Sequence, residues 1–91
     1  MSGYDVYVKI HGYWDASNSD SVAELRLADE TDSVKVVSIS GNTYNGSSVW
    51  TELANPDHRL FLAFDVTTAS ATSGATVTPK AAIVYFKYVF V

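Results

Sequence analysis

The chain is written in alternation. From Tyr4 to Tyr13, Tyr4, Val6, Val8 and Ile10 fall on one face, and Asp5, Tyr7, Lys9 and His11 on the other. A period of two in β-branched and aromatic residues predicts a strand. Gly12 marks a bulge or bend near its end. Asp15 to Asp20 is a polar loop rich in turn formers. Val22 to Ala28 alternates again, with Ala23, Leu25 and Leu27 inward and Glu24 and Arg26 outward. Ala, Glu, Leu and Arg favour helix, but the stretch makes only about two helical turns and its period is two, so it reads as strand. Asp29-Glu30-Thr31-Asp32 is a tight hairpin turn, and Val34 to Ile39 is the return strand. The adjacent Val36 and Val37 break its parity, as a bulge or burial on both faces would.

Further along, Gly41 to Ser48 reads as an exposed loop and Val49 to Leu53 as a short strand. Pro56 forces Asn55 out of the helical region and makes Asn55-Pro56-Asp57 a turn. Arg59 to Thr68 is the clearest strand, with Leu60, Leu62, Phe64 and Val66 on one face. Ala69 to Gly74 is a small-residue surface loop. Ala75 to Thr78 is short and stops at Pro79, and Lys80 to Val91 is a long final strand. Six to eight short strands, turn signals every 8–12 residues or so, no helix and no repeat predict one antiparallel β-sandwich spanning 1–91.

The final strand departs from the pattern. Ile83, Tyr85, Val89 and Val91 lie on one face, and Val84, Phe86, Tyr88 and Phe90 on the other. A strand with one wet face alternates apolar and polar, and this one does not. Either it is central and covered twice, or it presents an aromatic patch to a partner, or it lies at a subunit seam. Large exposed apolar patches mark contacts, which favours an interface built on Tyr85, Phe86, Tyr88 and Phe90.

Composition narrows the partners. At 91 residues with no cysteine, neither disulfide nor thiolate site supplements a small core. The net charge is −4, and the six cations, Lys9, Arg26, Lys35, Arg59, Lys80 and Lys87, are spread singly. No basic row exists to meet phosphates, so nucleic acid and an anionic membrane surface are not the expected partners. Ala81 to Val91 is too short to span a bilayer and contains Lys87. The opening Met1-Ser2-Gly3-Tyr4-Asp5 does not read as a signal peptide. Loops of Ser, Thr, Asn, Asp and Gly with little Lys or Glu lean toward a virion or extracellular setting.

Candidate chemistry is sparse. His11 and His58 lie far apart with no ligand spacing between them, and the expectation is that both are surface or rim residues with no metal site. No Gly-x-Ser-x-Gly elbow frames a nucleophile, and with no cysteine the chain is read as a non-enzyme without cofactor. Calcium is the one ion the loops suggest, with Asp15, Asn18 and Asp20 in one and Asp29, Glu30 and Asp32 in another. The EF-hand spacing is missing, and Asx residues form turns on their own account. Tyr13, Trp14, Tyr44 and Trp50 offer flat rings for stacking on a glycan, against which stands burial of either tryptophan as a core plug. Asn45-Gly46-Ser47 matches the N-glycosylation pattern.

Taken together, Tyr4 to Tyr13, the pair Ala23 to Leu27 and Val34 to Ile39, Trp50-Thr51-Glu52-Leu53, Leu60 to Val66 and Ala82 to Phe90 resemble jelly-roll carbohydrate-binding modules. The length and polarity are similar to those of small jelly-roll virion proteins (decoration, capsid and fibre subunits). The resemblance implies a jelly-roll sandwich and carries over no ligand residue. The functional expectation is a structural or adhesion protein that self-assembles as a homo-oligomer through its C-terminal strand. The alternative is a carbohydrate-binding module.

Overall fold

The computed structural model describes residues 3–91; Met1 and Ser2, which open the stretch tested for a leader segment, lie outside them. Seven strands and no helix form among the described residues: β1 (Tyr4–Ala16), β2 (Val22–Asp29), β3 (Val34–Gly41), β4 (Tyr44–Ser47), β5 (Thr51–Glu52), β6 (Leu60–Thr68) and β7 (Val77–Phe90). They make two antiparallel sheets. In the first, β1 is central, β7 pairs along its whole length on one side, and β4 and β5 follow one another on the other. The second runs β3-β2-β6.

The two central strands are the two with the cleanest alternation. Val6, Val8, Ile10 and Trp14 of β1 meet Ala23, Leu25 and Leu27 of β2, and Ile39 and Leu53 complete the core. This is the arrangement of a β-sandwich, in which alternate residues of each strand face the other layer.

Trp14 joins the layers. Its side chain is 1% exposed. One face stacks on Tyr44 of β4, with centroids 4.9 Å apart. Phe64 of β6, in the other sheet, meets it edge-on at 5.3 Å. Its indole N–H donates to the Gly41 carbonyl at 3.3 Å, which satisfies the one polar group it takes into the core. Gly12 makes room for it: a Cβ at that position would lie 2.7 Å from the Trp14 ring and 3.0 Å from Ile39.

Three expectations need correction. Gly41 to Ser48 is not all loop, because Tyr44–Ser47 pairs with His11–Trp14 as β4; the stack of Tyr44 on Trp14 overrides the turn-forming Asn, Gly and Ser around it. The strand expected over Val49 to Leu53 shrinks to Thr51–Glu52. Pro79 does not end a strand. The chain runs straight through it in β7, and the register slips by one residue there, with Tyr13 opposite Ala81 and Trp14 opposite Pro79. An edge strand tolerates proline at such a bulge. The adjacent valines of β3 are likewise a bulge: Leu27 faces Val37 and Ala28 faces Lys35, leaving Val36 as the extra residue.

Hydrogen bonds close both ends of the sandwich. At one end the Ser17 amide donates to the Thr76 carbonyl at 2.9 Å, and the Thr76 amide returns a bond to Ser17 Oγ at 2.8 Å. Asn42 there donates to the Asn18 and Ser21 carbonyls. At the other end the Leu53 amide donates to Val6 and the Glu30 amide to Arg59. The molecule is long, 56 × 23 × 15 Å, with a radius of gyration of 15.3 Å, against about 12 Å for a compact domain of this length.

Alanine in place of glycine within a strand is ordinarily stabilising, by about 0.5–1 kcal/mol. Gly12→Ala is expected to do the reverse and cost about 1–3 kcal/mol through overpacking against Trp14. Urea unfolding followed by tryptophan fluorescence measures it, and a raised midpoint would refute the contact.

Candidate functional site

β7 follows β1 from Tyr4 opposite Phe90 to Ala16 opposite Val77. Residues directly opposite one another share a face, so Val84, Phe86 and Tyr88, opposite Ile10, Val8 and Val6, point to the core side. Tyr85 and Lys87, opposite Lys9 and Tyr7, point outward. The reading of β7 as a doubly covered central strand falls, since it is an edge and both of its faces are open. Phe86 is 53% exposed, Tyr88 60% and Phe90 81%. Tyr88 stacks on Tyr4 at 5.4 Å, and Phe90 meets Tyr4 edge-on at 6.2 Å. A cleft of about 390 Å³ opens beside these rings, lined by Val6, Leu53, Pro56, His58 and Leu60.

The outward face carries aromatics of its own. Trp50, just before β5, lies under two ammonium groups, Lys87 at 4.5 Å and Lys9 at 4.9 Å from its centroid. Lys9 also reaches Tyr85 at 5.2 Å, and Lys87 reaches Tyr7 at 5.4 Å. The cations thus lie over rings, attracted to their electron-rich faces. The four aromatics considered for a glycan platform are divided between the core and the outer face of the first sheet. Trp14 is in the core and offers no face, and Tyr44 is spent on it. Tyr13 and Trp50 remain on the outer surface, Tyr13 under Lys80 at 5.4 Å.

His11 lies on that outer face, where Nε2 donates to Asn45 Oδ1 at 3.1 Å and Nδ1 accepts from the Ser47 hydroxyl at 2.9 Å. These bonds brace β4 against β1. Of the calcium candidates, Asp15 pairs with Lys80 at 2.9 Å, and that bond raises the Lys80 pKa. Asn18 Oδ1 accepts from Ser17, and Asp20 stands exposed in the turn. These three do not converge.

The second group does, and it includes a residue the sequence reading set aside. Asp29, Asp32 and His58 bring a nitrogen and two carboxylate oxygens within 4.8 Å of one another. His58 Nδ1 donates to Asp29 Oδ2 at 2.8 Å and lies 3.8 Å from Asp32. Asp29 is buried, and its other oxygen accepts from the Asp32 amide at 3.0 Å. Imidazole and carboxylate are donor types a zinc or calcium site draws on. As it stands, His58 hydrogen-bonds Asp29, an ion pair whenever the imidazole is protonated, and this contact holds the end of β2 to the start of β6. Only the fold brings the two together: residues 29 and 58 are joined through the pairing of Asp29 with Leu60.

The shared bond shifts both groups. Hydrogen bonding to Asp29, opposed by desolvation, raises the His58 pKa above its ordinary 6.5. The Asp32 amide first, and His58 after it, lower Asp29 below 3.8. A raised histidine stabilises fully below its unfolded value and ceases to do so as pH rises through its folded value. A lowered carboxylate stabilises above its unfolded value and ceases to do so as pH falls through its folded one. The pair therefore contributes most between these limits. Between about pH 5 and about pH 8, the urea midpoint of the wild type is expected to fall more than that of His58→Gln; parallel profiles would refute the ion pair.

No known family model, curated protein or solved structure matches the chain.

Proposed function

We propose that this protein is a non-catalytic structural or adhesion module that self-assembles through its C-terminal strand, as a decoration, capsid or fibre component of a virion or on an extracellular surface. The observation that carries the reading is β7 itself: a fourteen-residue edge strand with exposed apolar side chains on both faces. A long, apolar, unpaired edge is a template for pairing with another chain. The setting is supported by composition, with no cysteine and loops of Ser, Thr, Asn and Gly. The reading needs an open edge and not a jelly-roll order of strands, which stays part of the proposal on the strength of the sequence pattern.

The glycan alternative keeps Tyr13 and Trp50, and it predicts a monomer whose fluorescence responds to a polysaccharide. Removing Tyr88 to Val91 is expected to reduce the assembly to a monomer, as read by light scattering after size exclusion. Assembly that survives the deletion, or a wild type that is a monomer at every concentration, overturns the reading.

A further inference from the structure

We propose that the open side of the sandwich, between the β6 and β7 edges, is closed by a second copy of this chain, so that each sheet continues across a two-fold axis, the first from four strands to eight and the second from three to six. The proposal rests on the self-assembly reading and names its surface and occupant.

The two layers pack most closely on one side. β3 lies over β1 and β4, which leaves β6 and β7 together at the opposite side. The β6 residues opposite Ala23, Leu25 and Leu27 are Val66, Phe64 and Leu62, so these face the core side, where a sandwich normally covers them. Yet Val66 is 48% exposed and Leu62 37%, facing the same opening as Phe86 and Tyr88. The clefts at either end mark it. One lies between Leu60 and Phe86, and the other, about 270 Å³, lies between Val66 and Val77.

Neither edge carries the usual protection. Edge strands are commonly blunted by inward charges, lysines or a mid-strand proline. In β7 the proline is near the start, Lys80 is held by Asp15 over Tyr13, and Lys87 is drawn back over Trp50 and Tyr7. In β6 the one charge, Asp65, lies on the outer face and is held by Arg26. From Leu60 to Val66 and from Ala82 to Phe90, the inward faces are wholly apolar apart from the Tyr88 hydroxyl.

The area fits a dimer. An aromatic side chain has some 150–250 Å² to bury, so Phe86, Tyr88 and Phe90 at their exposures present roughly 400 Å² between them. Leu62 and Val66 bring the opening to on the order of 500 Å² of apolar surface. A standard interface buries about 800 Å² per partner, of which about 57% is apolar, or roughly 450 Å².

Geometry selects the occupant. The two edges belong to different layers, about 10 Å apart. A single extended peptide adds to one and leaves the other unpaired. A second copy presents two edges at the same separation, and a two-fold axis through the opening pairs both at once in a self-complementary contact that closes on itself.

The test places charge on β6 and leaves β7 untouched. Leu62→Lys with Val66→Lys is expected to raise the dimer dissociation constant about thirtyfold or more in sedimentation or light scattering, with the buried Trp14 fluorescence unchanged. In the wild type, hydrogen exchange is expected to show slow amides along the free edges of both β6 and β7, lost together on dilution. A folded double variant that assembles like the wild type overturns this inference and leaves assembly through β7 standing. A wild type that is monomeric, with both edges exchanging fast, overturns both. If the double variant fails to fold, the wild-type exchange decides alone: protection confined to β7, or appearing only when an extended peptide is added, overturns the second-copy arrangement.

Discussion

The contact between Trp14, Tyr44 and Phe64 holds the two sheets in one molecule. Each sheet is a ladder of backbone bonds that is locally complete, and neither ladder includes a strand of the other. What binds layer to layer is side-chain burial, and in a chain of 91 residues there is little of it. The indole concentrates it in one place. It takes a stacked ring from its own sheet and an edge-on ring from the other, and it gives its N–H to the carbonyl where β3 ends. Gly12 keeps the space beneath it free. The conformation of β4 also follows from this ring, since Tyr44 would otherwise sit in a stretch suited to a turn.

Away from that clamp the structure is asymmetric. Hydrogen bonds close the end at Ser17 and Thr76, and the His58–Asp29 pair closes the end at the β2–β3 turn. Along the side between β6 and β7 no such tie is found among the described residues, and the apolar faces of both strands meet solvent. The elongated shape follows: two narrow layers of four and three strands cannot wrap a spherical core. A self-assembling function draws on the same asymmetry, because the surface left uncovered is the surface with most to gain from a partner.

Much of this was legible in the alternation. The one-faced apolar sets of β1, β2 and β6 followed from side-chain period, which reports which face is buried; at Val36 and Val37 the period left a bulge and two-sided burial open, and the register of β3 on β2 decides for the bulge. The apolar faces of β7 showed that it was unusual, but period alone does not distinguish a central strand from an unpartnered edge, because both demand apolar residues on two sides. Trp14 and Trp50 had similar surroundings in sequence, and opposite fates. Trp14 continues the inward parity of Val6, Val8 and Ile10, a signal that extending the first strand by a few residues would have captured. Trp50 has no strand parity to follow. The meeting of His58 with Asp29 needed the β2–β6 register, a long-range fact that no local pattern carries.

The pairing of β1 with β7 also sets an order of events. Tyr4 is matched to Phe90 and Ala16 to Val77, so during synthesis β1 waits for β7. The β3-β2-β6 sheet has all of its strands once Thr68 has been made. Until β7 follows, one backbone edge of β1 stands unpaired, and non-local pairing of this kind makes folding slow and prone to wrong associations on the way. A chain ending before β7 would hold one assembled sheet and one stranded central strand, which makes the C-terminal strand the step that commits the molecule to its fold.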